Sequence, residues 1–116
     1  GKVVNPAEAE AQAHGGIATG IGYALTEEVV VEEGRYINPN FMDYLLPSAA
    51  ETTNVTVFFA DSYDEYGPYG AKSIGELATN PVASAIANAV SRALKTRIRK
   101  LPIKPEDVWI VTGRKS

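Results

Sequence analysis

Glu76 closes the segment Gly70-Ala71-Lys72-Ser73-Ile74-Gly75-Glu76. Gly70 and Gly75 allow the backbone to turn sharply or to come close to another group. Pro81, five residues beyond Glu76, opens a helix. A carboxylate held between such an approach and a helix is placed to take a proton as a general base. Gly15, Gly16, Gly20 and Gly22 fall in a stretch that otherwise reads as helix. Each glycine costs about 1 kcal/mol relative to alanine, roughly 4 kcal/mol together. Close packing of another backbone, or of a bulky ligand, has to offset that loss, and both can hold at once.

The elements that would position these residues follow from caps and periodicity. Asn5 caps a first helix with Pro6 at its first position. Glu8 and Glu10 suit the helix dipole there, and Ala9, Ala13, Ile17, Ile21 and Leu25 form one apolar stripe. Glu27 to Glu32 reads as a strand, Glu33-Gly34 as a turn, and Arg35 to Ile37 as the returning strand of a hairpin. Residues 38–54 read as an irregular segment, too apolar for solvent at Phe41, Met42, Tyr44, Leu45 and Leu46. Val55 to Phe59 reads as a strand of β-branched and aromatic residues. Asp61 to Gly70 is an acidic, tyrosine-rich loop. Asn80 and Pro81 repeat the cap-plus-proline start of a second helix, with Val82, Ile86, Ala89, Val90, Ala93 and Leu94 as its stripe. Thr96 to Ile103 reads as an edge strand, and Pro105 to Trp109 opens a short final helix or turn. The expected fold class is α+β (mixed α/β): two main helices packed on a small sheet.

Composition narrows the field. A chain of 116 residues is the size of one domain. Its net charge of -3 and pI near 5.1 argue against nucleic acid as partner. Without cysteine it has no disulfide, thiolate zinc site or iron–sulfur ligation of its own. No apolar run approaches the roughly 20 residues of a membrane span. The chain starts at Gly1, and Lys2-Val3-Val4 reads like a strand already under way, so a piece of something larger is expected. Ala71-Lys72-Ser73 is similar to the end of a phosphate-binding loop, but Ala71 stands where that motif demands glycine. Gly20-Ile21-Gly22 lacks the third glycine of a dinucleotide fingerprint. His14 has no His or Cys at metal spacing, and no residue of this chain is expected as a metal ligand. Ser73 has no readable histidine–aspartate pair, which argues against a triad. Arg97 to Lys100 reads as a solvated basic edge.

Taken in order, these segments resemble the C-terminal part of the molybdopterin-binding large subunit of the xanthine dehydrogenase/aldehyde oxidase family. The resemblance rests on Val3-Val4-Asn5-Pro6, on Gln12 to Gly16 followed by Gly20 and Gly22, and on Phe41-Met42-Asp43-Tyr44 with Pro47. It rests most on Gly67-Pro68-Tyr69-Gly70-Ala71-Lys72-Ser73-Ile74-Gly75-Glu76, then on the alanine-rich helix and Pro105 to Trp109. It covers nearly the whole chain. Leu77 departs from the proline or small residue usual after the glutamate.

The resemblance implies a chemistry. The cofactor would be molybdopterin carrying Mo, in bacterial members often as the cytosine dinucleotide. Glu76 would deprotonate the Mo-bound hydroxyl, whose oxygen attacks an electron-poor carbon of a purine or other N-heterocycle. Gln12, Gly15 and Gly16 would lie against the cofactor, and Ser73, Ile74 and Gly75 would offer it their backbone. Partners would be the remainder of the molybdenum subunit, with iron–sulfur clusters and FAD on other domains or subunits. Nucleic acid and membrane are not expected as partners, and the location would be cytoplasmic. The alternatives are an aldehyde or nicotinate-type hydroxylase of the same family, or an interaction module that keeps the fold without the chemistry. Lacking the other cofactor-binding segments, residues 1–116 are expected to be inactive alone.

Overall fold

The computed structural model describes residues 1–52 and 54–113. The first helix, α1, runs from Pro6 to Leu25. Asn5 caps it as its sequence demands: Glu8 N–H donates to Asn5 Oδ1 at 3.3 Å. A ribbon of two antiparallel strands follows, β1 (Val31–Glu32) and β2 (Arg35–Tyr36), paired Val31 to Tyr36 and Glu32 to Arg35. The described residues between Tyr36 and Pro68 form no helix or strand, and a short 3-10 turn follows over Pro68–Gly70. Helix α2 spans Val82–Leu94 and α3 spans Pro105–Gly113. The composition is α+β, and its packed region lies where α1 and α2 meet.

Of the predicted apolar stripe α1 buries only Ala13; Ala9, Ile17 and Ile21 are half-buried and Leu25 is exposed. Ala13, Gly16, Gly20, Gly22 and Ala24 are its buried residues. A Cβ on Gly16 would come 2.7 Å from the Ala78 Cβ, and one on Gly20 would strike Val82. Both glycines let the chain after Glu76, and the start of α2, lie almost on the α1 backbone. That close packing is part of the offset for their poor propensity.

Four expectations are corrected. Val55 to Phe59 is not a strand, because its backbone pairs with no described segment in a ladder. The strand expected over Glu27 to Glu32 contracts to Val31–Glu32. Upstream of it, the Asn38 side chain takes the main-chain groups a partner strand would take: Val30 N–H donates to Asn38 Oδ1 at 2.9 Å, and Asn38 Nδ2 donates to Glu28 O at 2.6 Å. Thr96 to Ile103 makes isolated bonds to helices instead of a ladder, Ile98 N–H to Ser91 Oγ at 2.8 Å and Ile103 N–H to Ala24 O at 2.7 Å. Asn80 does not cap α2. The Pro81 carbonyl accepts the first helical bond, from Ala85 N–H at 2.9 Å, so Pro81 itself occupies the cap position.

The chain is open in shape. Its radius of gyration is 17.9 Å, against about 13 Å for a compact domain of this length. It exposes 9045 Å², where a compact monomer of this mass exposes about 6,100 Å². Its buried apolar side chains among the described residues are few: Ala13, Ala24, Pro102 and Ile103.

Candidate functional site

The 70–76 segment is fixed at both ends. At its start the Gly70 carbonyl accepts two main-chain bonds, from Lys2 N–H at 2.8 Å and Asp64 N–H at 3.1 Å. Gly70 has φ of +78° and the Tyr63 ring against its Cα, so a side chain is excluded twice over. Tyr69 before it also has positive φ, at 55°. At the other end Gln12 Nε2 donates to Gly75 O at 2.8 Å, across 63 residues of sequence. Beyond Glu76, the Thr79 N–H donates to the Glu76 carbonyl at 3.1 Å and closes a turn. Ala78 and Thr79 then cover Gly16.

Two of the residues singled out by chemistry therefore meet. Gln12 touches the backbone directly before Glu76, and α1 is the platform on which the segment rests. Gly15 and Gly75 are both exposed, and nothing lies within 4 Å of where a side chain would project. Gly16 lies beneath Ala78 and Thr79 instead. Ser73 is exposed and Ile74 half-buried. Among the described residues, no main-chain N–H from Lys72 to Ala78 donates to a backbone carbonyl. The Glu76 side chain is exposed and has no hydrogen-bond or ion-pair partner there. A run of free N–H groups beside two open glycines can take an anionic or oxygen-rich group, and an unpaired carboxylate next to it can move a proton.

The other candidates stand apart. His14 Nε2 faces Glu10 Oε1 at 3.7 Å, one helical turn away. Among the described residues no group of three or more His, Cys, Asp or Glu side chains could hold a metal ion, and no helix is long and apolar enough to cross a membrane. An apolar hollow of 630 Å³ opens beside the β1–β2 ribbon, lined in part by Tyr36, Phe41 and Tyr44. None of its lining residues belongs to the 70–76 segment, so size alone does not mark the site. Thr79 and Ala78 were missed in the sequence. The only signal was their place between Glu76 and Pro81.

Residues 1–53 match the family of molybdopterin cofactor-binding domains. Across 94% of its length the chain is 39% identical to the xanthine dehydrogenase molybdenum-binding subunit of Escherichia coli O157:H7. The chain belongs to the xanthine dehydrogenase/aldehyde oxidase family, within its molybdopterin-binding subunit. Another member, the aldehyde oxidoreductase molybdenum-binding subunit PaoC of Escherichia coli K12, is 38% identical over 89% of this chain. The backbone superposes on quinoline 2-oxidoreductase from Pseudomonas putida 86 with a TM-score of 0.88, at 31% identity over 97% of this chain. The chain spans only 15%, 14% and 15% of the lengths of these three family members. It therefore matches a fragment of a larger molybdopterin-binding domain.

Proposed function

We propose that residues 1–116 form the C-terminal portion of the molybdopterin-binding catalytic domain of a molybdenum hydroxylase, with Glu76 as its general base. The observation that carries this reading is the 2.8 Å bond from Gln12 Nε2 to Gly75 O, which joins the glycine-rich helix to the backbone beside the free carboxylate. The donors fit an oxygen-rich, anionic cofactor. Gln12 lies at the edge of the open surface, Gly15 and Gly75 leave room for close approach, and the N–H groups of Ser73, Ile74 and Gly75 lack backbone acceptors among the described residues. Gly16 serves by letting Ala78 and Thr79 settle on α1.

When bound, the molybdopterin centre would supply a water-derived hydroxyl and take up two electrons from the substrate. Glu76 would take and hold the released proton at a carboxylate oxygen as an electron-poor carbon gains its C–O bond. The net change is R–H + H2O to R–OH with release of two protons and two electrons. Iron–sulfur clusters and FAD on other domains or subunits would take up the two electrons. Glu76 is exposed within these residues, so the remainder of the subunit has to exclude bulk water, and residues 1–116 alone are inactive. The substrate is a purine or other N-heterocycle, in keeping with relatives named for xanthine and quinoline. An aldehyde is the second reading, in keeping with the relative named aldehyde oxidoreductase. The assembled enzyme is cytoplasmic.

The test is Glu76→Gln in the full-length subunit, assayed for turnover and for bound molybdenum and pterin. Turnover should fall by about 10² to 10⁴-fold, the range for loss of a positioned base, with cofactor content unchanged. Turnover within tenfold of the parent enzyme would sink the assignment.

A further inference from the structure

The segment Val55 to Tyr63 has sequence and surroundings at odds. Val55-Thr56-Val57-Phe58-Phe59 is among the strongest strand-forming runs in the chain. Its exposure alternates as a strand's does: Val55 and Val57 are half-buried, while Thr56 and Phe58 are exposed, Phe58 at 89%. Yet among the described residues no main-chain N–H or C=O from Val55 to Tyr63 takes part in a backbone hydrogen bond. Main-chain polar groups left in this state next to large exposed apolar side chains are the mark of an edge that another chain segment completes. The apolar side chains of the run make free solvation a poor alternative, since Phe59 and Tyr63 are exposed as well.

We propose that Val55–Phe59 is a strand of a β-sheet whose neighbouring strand is supplied by the rest of the molybdenum-binding subunit. The occupant is an extended segment that pairs its backbone with residues 55–59 and sets apolar side chains against Phe58. Two observations favour it over a second copy of this chain. The same backbone path is found at a TM-score of 0.88 inside a chain of which it makes up 15%, so most of that polypeptide is available to lie beside it. The run is also continuous with the functional segment. Asp64, five residues beyond Phe59, donates its N–H to the Gly70 carbonyl that begins the 70–76 segment, so completing the sheet also steadies the approach to Glu76. The inference rests on the reading of this chain as part of a larger subunit, but not on Glu76 being the base.

The experiment is carried out on the full-length subunit in its assembled enzyme. Amide hydrogen exchange is measured for residues 55–59, and a photoreactive benzoyl group is placed on Phe58. The expected result is exchange at least 100-fold slower than in an unstructured peptide of the same sequence, with the cross-link landing on the same polypeptide outside these 116 residues. Exchange within tenfold of the peptide rate overturns the proposal. A cross-link to a second copy, or only to residues within 1–116, overturns it as well. Molybdenum content and turnover are recorded on the same preparation. Protected amides in an enzyme that Glu76→Gln leaves active would sink the base assignment and leave the sheet standing. Unprotected amides in an enzyme that Glu76→Gln inactivates would do the reverse.

Discussion

The half of the molecule built from α1, the 70–79 segment and α2 answers its own needs, and the half between Val29 and Tyr63 does not. In the first, Gly16 and Gly20 receive Ala78 and Val82, Gln12 holds Gly75, and the Gly70 carbonyl has two donors. In the second, Phe41 and Met42 are 83% and 87% exposed, and the Val55–Tyr63 backbone is without a ladder. The difference teaches where interactions of this chain are local and where they are owed to something outside it. Close glycine packing and main-chain ties hold Glu76 in place, whereas aromatic surface and open backbone are left for a neighbour.

Substitutions in the enzyme can break or sharpen this contrast. The largest effect belongs to Gly20→Val, whose side chain would overlap Val82 and force α1 from α2. Overpacking of this kind costs about 3 kcal/mol, read as a lowered denaturation midpoint. Next comes a pair of neighbours expected to differ in sign. Gly15→Ala meets nothing within 4 Å and should stabilise the fold by up to about 1 kcal/mol, while lowering molybdenum content if the cofactor lies there. Gly16→Ala brings its Cβ to 2.7 Å from Ala78 and should destabilise despite the same gain in propensity. Equal shifts for the two would erase the distinction between open and packed glycines. Gln12→Ala removes one tertiary hydrogen bond and should cost about 1 kcal/mol, again with reduced molybdenum content.

The smallest effects are electrostatic. The Glu28 carboxylate beside Lys104 raises the lysine above its ordinary value of 10.5. A raised folded value means the contribution is present below pH 10.5 and lost as pH climbs through the folded value. At Glu51, bonds from the Ser48 hydroxyl and Ser48 N–H lower the carboxyl below its ordinary 4.5. That contribution is present above pH 4.5 and lost as pH falls through the lowered value. Both groups are exposed, so Lys104→Met and Glu51→Gln should each flatten only their own end of the stability–pH curve, and only slightly.

What could be read in the sequence divides along the same line. The Asn5 cap, the Glu33-Gly34 turn and the helix from Pro105 depend on a few neighbouring residues, and all appear in the structure. Val55 to Phe59 has the composition of a strand, but a strand is completed by its partner, which local sequence does not contain. The cap of α2 shifted by one residue because Pro81 could offer its carbonyl to Ala85. At the site, Gln12 and the Gly75-Glu76 pair were recognisable as motifs. Their contact was not, because it depends on Gly16 and Gly20 bringing the two backbones together.

The doubly accepting carbonyl of Gly70 sets where this chain tolerates new sequence. The tip at Glu33-Gly34 joins two short exposed strands, so an epitope or a few added residues there would disturb only the ribbon. The same residues added between Asp64 and Gly70 would have to pass through a junction that also holds Lys2. They would displace the carboxylate six positions downstream. A loop that looks expendable on the surface thus acts as a fixed-length spacer, and its length is part of the site.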